Sequence, residues 1–205
     1  MRLLLLFSFT ELVLCLTPGP AVMLVVSQGV KNGFPASLRG VAGIMTGNTF
    51  YFTLSAMGLG ALLVSSATLF QIIKWTGAAY LVFLGLKMLL SRKPVAEAED
   101  EPREKNSARL FRDGLIKQLS NPKAIVFFSA LLPQFMRPGV SVVEQMAVLG
   151  IISLAIEFVV LFGYGWAADR GSRMVLKGRF AMLTDRIAGS VLVCAGIGLA
   201  ATRRL

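Results

Sequence analysis

Three charged residues of this chain, Glu11, Lys123 and Glu157, lie within long apolar stretches. A charge in the middle of hydrocarbon costs at least about 2.5 kcal/mol, so each of them calls for a partner or a wet cavity. Glu157 is the obvious partner for Lys123. A carboxylate at that depth suits a proton carrier or a contact for a substrate ammonium group, with a purely structural ion pair as the alternative. Glu11 lies about two turns into the first apolar run, where it could face an interface or a polar neighbour. Asn48, Thr49, Tyr51 and Gln118 are candidates for lining a cavity.

Two proline motifs accompany these charges. Leu16 to Ala21 reads LTPGPA and Leu119 to Ala124 reads LSNPKA, each inside a run long enough to span a bilayer. Proline removes backbone hydrogen bonds, which hydrocarbon tolerates only where the freed groups face protein or water. Thr17 before Pro18, and Asn121 before Pro122, each read as a helix N-cap followed by proline at the first helical position. Each break would then begin a half-helix at mid-membrane, whose amide end suits an anion such as an amino-acid carboxylate. The predicted substrate site is Thr17, Pro18, Gly19, Pro20, Asn48, Ser120, Asn121, Pro122 and Lys123, with Glu157 and Glu11 as a coupling or ion pair. The plainer alternative is two proline kinks used only for packing.

The elements that must position these groups follow from composition. Of 205 residues, 55% are hydrophobic and 16% charged, with a mean hydropathy of +0.70, too apolar for an ordinary soluble domain. Spans of about 20 residues with short connections give six helices and leave no room for a separate soluble domain. The spans read as about 3–27, 41–64, 72–90, 114–135, 143–167 and 187–202, the first and fourth broken at the proline motifs. Gln28 to Arg39 reads as a turn, Ser91 to Arg109 as a charged cytoplasmic linker, and Asp169 to Arg186 as a basic interfacial helix. Pro133, Pro138 and Gly139 turn the chain after the fourth span. In the second span Gly40, Gly43 and Gly47 recur at spacings of three and four, which lets backbones approach.

The net charge of +10 lies beside the spans rather than on one basic face, which argues for membrane orientation and against nucleic acid. Of the 21 Lys and Arg residues, fifteen fall on one side, five on the other and Lys123 within the membrane, so both termini are expected outside the cytoplasm. Histidine is absent, which removes Ser-His and Cys-His dyads and histidine metal sites. A Ser-Lys pair such as Ser120 with Lys123 is the alternative hydrolase arrangement, and nothing in the spacing selects it. Cys15 and Cys194 read as packing residues, and no cofactor is called for.

Offsetting the chain by 103 residues aligns Leu12 with Leu115, Leu16 with Leu119, Thr17 with Ser120, Ala21 with Ala124, Pro35 with Pro138 and Gly47 with Gly150. Three spans per half make this an inverted repeat, residues 1–90 and 110–205 around the linker 91–109. Chance alignment of apolar sequence is the alternative.

The chain resembles the LysE/RhtB family of bacterial amino-acid exporters essentially end to end. The resemblance rests on TPGPA at Thr17 to Ala21, on Gly43, Ile44 and Gly47, on KWTGAAYLVFLG at Lys74 to Gly85, and on NPKAIVFFSALLPQF at Asn121 to Phe135. It implies proton-driven export of amino acids across the bacterial inner membrane by an all-α protein of six spans, with homodimers allowed. Exporters of basic amino acids in that family resemble a subgroup with an aspartate shortly after the NP motif. Ala124 to Phe128 has no acid, which points to a neutral substrate of the homoserine, threonine or leucine type. Glu157 falls outside the family pattern. The reading from another class is a non-transporting membrane protein whose basic faces bind anionic lipid.

Overall fold

The computed structural model describes residues 2–65, 67–90, 106–137, 139–170 and scattered positions between 186 and 200. Every regular element among the described residues is helical, without strands. In order they form α1 (Arg2–Leu16), α2 (Pro20–Asn32), α3 (Phe34–Ser65), α4 (Ala67–Leu90), α5 (Ser107–Leu119), α6 (Pro122–Val126), a π-helical turn (Phe127–Leu131), a 3₁₀ turn (Leu132–Phe135) and α7 (Val142–Asp169). The predicted interfacial helix beyond Arg170, most of the linker and most of the last span lie outside the described residues.

Alpha helix α7 is apolar and long enough to cross a membrane alone, and α1 with α2 does so as a pair bent by 51° at residues 17–19. Ser141 caps α7 by accepting the Glu144 amide, and Glu144 adds its charge to the positive first turn. Along α7 the buried positions Met146, Leu149, Ser153, Glu157, Val160 and Leu161 form one stripe at helical spacing. The opposite face leaves Val143, Ile151 and Val159 about two-thirds exposed, and α1 does the same with Leu5 and Phe9. So much apolar exterior suits lipid, not water.

Glycine sets how closely α3 and α5 approach. A Cβ on Gly43 would run into the Phe111 carbonyl, and one on Gly114 would run into the Gly40 carbonyl. Gly47 meets Gln118 in the same groove, so the small-residue stripe of the second span is the seat of α5. A second close approach joins α4 to Gly189, where a Cβ on Gly85 would lie 2.5 Å from the Gly189 carbonyl.

Several boundaries differ from the sequence reading. The expected turn at Gln28 to Arg39 is helical except at Gly33, whose φ of +85° reverses the chain in a single residue. Pro35 then sits in the first turn of α3, where a missing amide breaks nothing. The helix that holds the expected second span therefore starts at Phe34, and the one that holds the expected third starts at Ala67. Residues 107–109, expected in the linker, are the first turn of α5, because the Asn106 side chain accepts the Ala108 and Arg109 amides. Gly139, at φ +80°, makes the expected turn before α7, while Pro133 belongs to the 3₁₀ turn.

The buried core has two parts. One gathers Phe7, Phe52, Phe127, Phe128, Leu132 and Phe135; the other gathers Val25, Val26, Val41, Ile44 and Leu161. The first helix break lies between the two parts, with Leu14 before it in one and Ala21 after it in the other.

Candidate functional site

Both helices that precede a break stop at matching leucines, α1 at Leu16 and α5 at Leu119. A helix end leaves carbonyls without donors, and here tyrosines supply them. The Tyr164 hydroxyl on α7 donates to the Leu16 carbonyl at 2.9 Å, and the Tyr51 hydroxyl on α3 donates to the Leu119 carbonyl at 2.7 Å. Each half of the chain thus latches the break of the other half.

The two restarts are not alike. Asn121 caps α6 as expected, accepting the Lys123 amide at 3.1 Å ahead of Pro122. Thr17 does not cap α2. Its hydroxyl donates back to the Val13 carbonyl at 2.8 Å, so it closes α1, and the N-cap passes to Gly19 with Pro20 as the first helical residue. The first turn of α2 consequently has no side-chain cap.

Between the breaks lies a cavity of about 40 Å³ whose walls come from both parts of the core. Its polar lining is Glu11, Asn48, Gln118, Asn121, Lys123, Ser153 and Glu157, with Cys15, Phe127 and Phe128 among the remaining walls. The amides form a relay. Asn121 donates to Gln118 at 3.2 Å, Gln118 donates to Asn48 at 2.5 Å, and Asn48 donates to Glu157. The second carboxyl, Glu11, accepts from the Ser153 hydroxyl at 2.5 Å and sits one turn from the Cys15 thiol. All of these except Cys15 and Lys123 are buried. A buried network of this kind is favourable only when every member finds a partner.

Lys123 differs from the sequence expectation. Its ammonium donates to the Leu14 carbonyl at 2.7 Å and to the Thr17 carbonyl at 3.3 Å, not to Glu157. These oxygens form the negative end of α1, and a cation is stabilised there as a carboxylate is at the other end. It shares the cavity with both carboxyls.

Of the predicted residues, Glu11, Asn48, Asn121, Lys123 and Glu157 come together around one cavity. Thr17, Pro18, Gly19, Pro20 and Pro122 shape the breaks beside it without lining it, and Ser120 and Thr49 are exposed. Ser153 was missed. Its signal was its place one turn before Glu157 on the same face of α7. Gln118 lines the cavity as expected and is the central link of the relay. No metal-ligating cluster occurs among the described residues.

Comparison with known proteins places these features in a family. A protein uncharacterised beyond being a membrane protein, from Vibrio cholerae serotype O1, is 35% identical over 197 residues, 96% of each chain. The homoserine/homoserine lactone efflux protein of Salmonella typhimurium is 29% identical over 197 residues, 96% of this chain and 95% of that one. The leucine efflux protein of Klebsiella pneumoniae is 28% identical over 154 residues, 72% and 73% of the two chains. No solved structure matches the chain. The model of the LysE type translocators matches residues 12–203, which takes in both breaks and every polar residue of the cavity except Glu11, and the chain belongs to that family.

Proposed function

We propose that this membrane protein exports a small neutral amino acid or a close derivative, of the homoserine, threonine or leucine type, across the bacterial inner membrane. The observation that carries the reading is the cavity, where one fixed ammonium and two carboxyls surround a space that helix breaks leave polar. A zwitterion needs both signs of charge within one small site. Its carboxylate suits Lys123 and the start of α2, where Ala21 and Val22 line the cavity and no side chain caps the helix. Its ammonium suits Glu157 or Glu11. The efflux relatives support the substrate class, and the absence of an acid in Ala124 to Phe128 argues against a basic amino acid.

Size sets the mechanism. A cavity of about 150 Å³ holds a benzene molecule, whereas this one, at about 40 Å³, holds a few waters. That space is too small for an amino acid, which enters only if helices part, first on one side and then on the other. Alternating access in six spans, arranged as two inverted three-helix repeats, provides that motion. The crossed tyrosine latches and the matched ends at Leu16 and Leu119 support the repeat. With two carboxyls facing one ammonium, a single proton neutralises the cavity, which supports exchange of proton for substrate.

The test is efflux from proteoliposomes loaded with neutral amino acids, with and without a pH gradient. Wild-type protein is expected to move homoserine, threonine or leucine, and Pro122→Ala or Lys123→Met to abolish movement while membrane levels of protein hold. Unchanged efflux in both variants rejects the site; no movement of any amino acid by wild type rejects the function.

A further inference from the structure

The carbonyls that end a broken helix at membrane depth are where transporters hold a free monovalent cation. At the end of α1 the donors can be followed one by one. The Val13 carbonyl takes the Thr17 hydroxyl, the Thr17 amide is shared between the Val13 and Leu14 carbonyls, and the Leu16 carbonyl takes Tyr164. The carbonyls of Leu14 and Thr17 both receive the Lys123 ammonium. The same ammonium fits against Gly19, where a Cβ would stand 3.6 Å from it. Glu11, one turn before Leu14, adds a buried carboxyl to the same cavity, and Ser153 adds a hydroxyl. Carbonyls, a carboxylate and a hydroxyl are the oxygen ligands that hard cations take.

We propose that this is a monovalent-cation site filled permanently by a tethered ammonium, so that Lys123 stands where a sodium or potassium ion would otherwise bind. The proposal rests on the reading of the cavity as the transport site and adds an ion specificity to it. The ammonium is fixed to α6, more than one hundred residues along the chain from the carbonyls it satisfies. It cannot leave for solution at the end of a transport cycle. Neither sodium nor potassium is then needed to hold the break together, and neither serves as the coupling ion.

Removing the ammonium should open the site to a free ion. Purified wild-type protein is expected to unfold at one temperature in sodium, potassium or choline chloride of equal ionic strength. Lys123→Ala is expected to unfold lower in choline and to regain at least about 2–4 °C in sodium or potassium. Cooperative unfolding of Lys123→Ala at the same temperature in all three salts overturns the proposal. If the variant folds only in sodium or potassium, that result supports it. If it folds in none, wild-type unfolding decides: equal unfolding temperatures in the three salts support the proposal, and a lower temperature in choline overturns it. Because unfolding needs no substrate, failure of the amino-acid assignment leaves this result standing, and the converse also holds.

Discussion

Asn121 does two things at the second break, and they can be separated. Its oxygen caps α6 through the Lys123 amide, and its amide nitrogen donates to Gln118. Alanine removes both. Loss of an N-cap costs about 0.5–2 kcal/mol. Leaving the buried Gln118 oxygen without its donor costs about 1–3 kcal/mol more. For a chain of this size each kcal/mol lowers the unfolding temperature by about 2–4 °C, so Asn121→Ala should unfold roughly 3–20 °C below wild type. Asn121→Ser keeps an oxygen for the cap and gives up only the reach to Gln118. It should recover the capping share and unfold about 1–8 °C above the alanine variant. Thermal unfolding of the purified proteins in one detergent reads both differences. Alanine and serine variants that unfold together would show that the cap contributes nothing, and an alanine variant as stable as wild type would refute the relay as well.

Other expectations follow from the same contacts. Glu157→Gln keeps an acceptor for Asn48 but carries no charge, so exchange of amino acid across proteoliposomes should persist while pH-driven accumulation is lost; retained accumulation would remove Glu157 from coupling. Gly43→Ala and Gly114→Ala force α3 from α5 and should each cost about 1–3 kcal/mol or more in unfolding measurements, whereas Gly163→Ala, with nothing within 4 Å, should be neutral or gain up to about 1 kcal/mol. Tyr51→Phe and Tyr164→Phe each release one break carbonyl, at about 1 kcal/mol, and should shift labelling of engineered cysteines toward opposite faces of the membrane; shifts toward one face would argue against paired latches.

The breaks were legible because proline within an apolar run has few other meanings, and Asn121 and Lys123 followed from their places beside one. The seat of α5 was legible as a stripe of small residues in the second span. The partner of Lys123 was not. Its acceptors are backbone carbonyls, which every residue carries, and only the docking of α6 against the end of α1 selects Leu14 and Thr17. Thr17 misled for a related reason: a hydroxyl beside proline can cap the next helix or close the previous one, and here the Val13 carbonyl lay within reach first. Ser153 stayed hidden because a lone serine on an apolar helix carries little signal until the facing carboxyl of Glu11 is known.

Cys15 offers the most direct test of where substrate sits, since its side chain lines the cavity beside Glu11 and the other cysteine, Cys194, is exposed elsewhere. In a Cys194→Ser background, the rate at which a small membrane-permeant maleimide labels Cys15 should fall when a transported amino acid is added, and should not change with an amino acid that is not moved. Labelling of Cys15 that ignores every transported amino acid would mean that substrate crosses the protein somewhere other than between the two breaks.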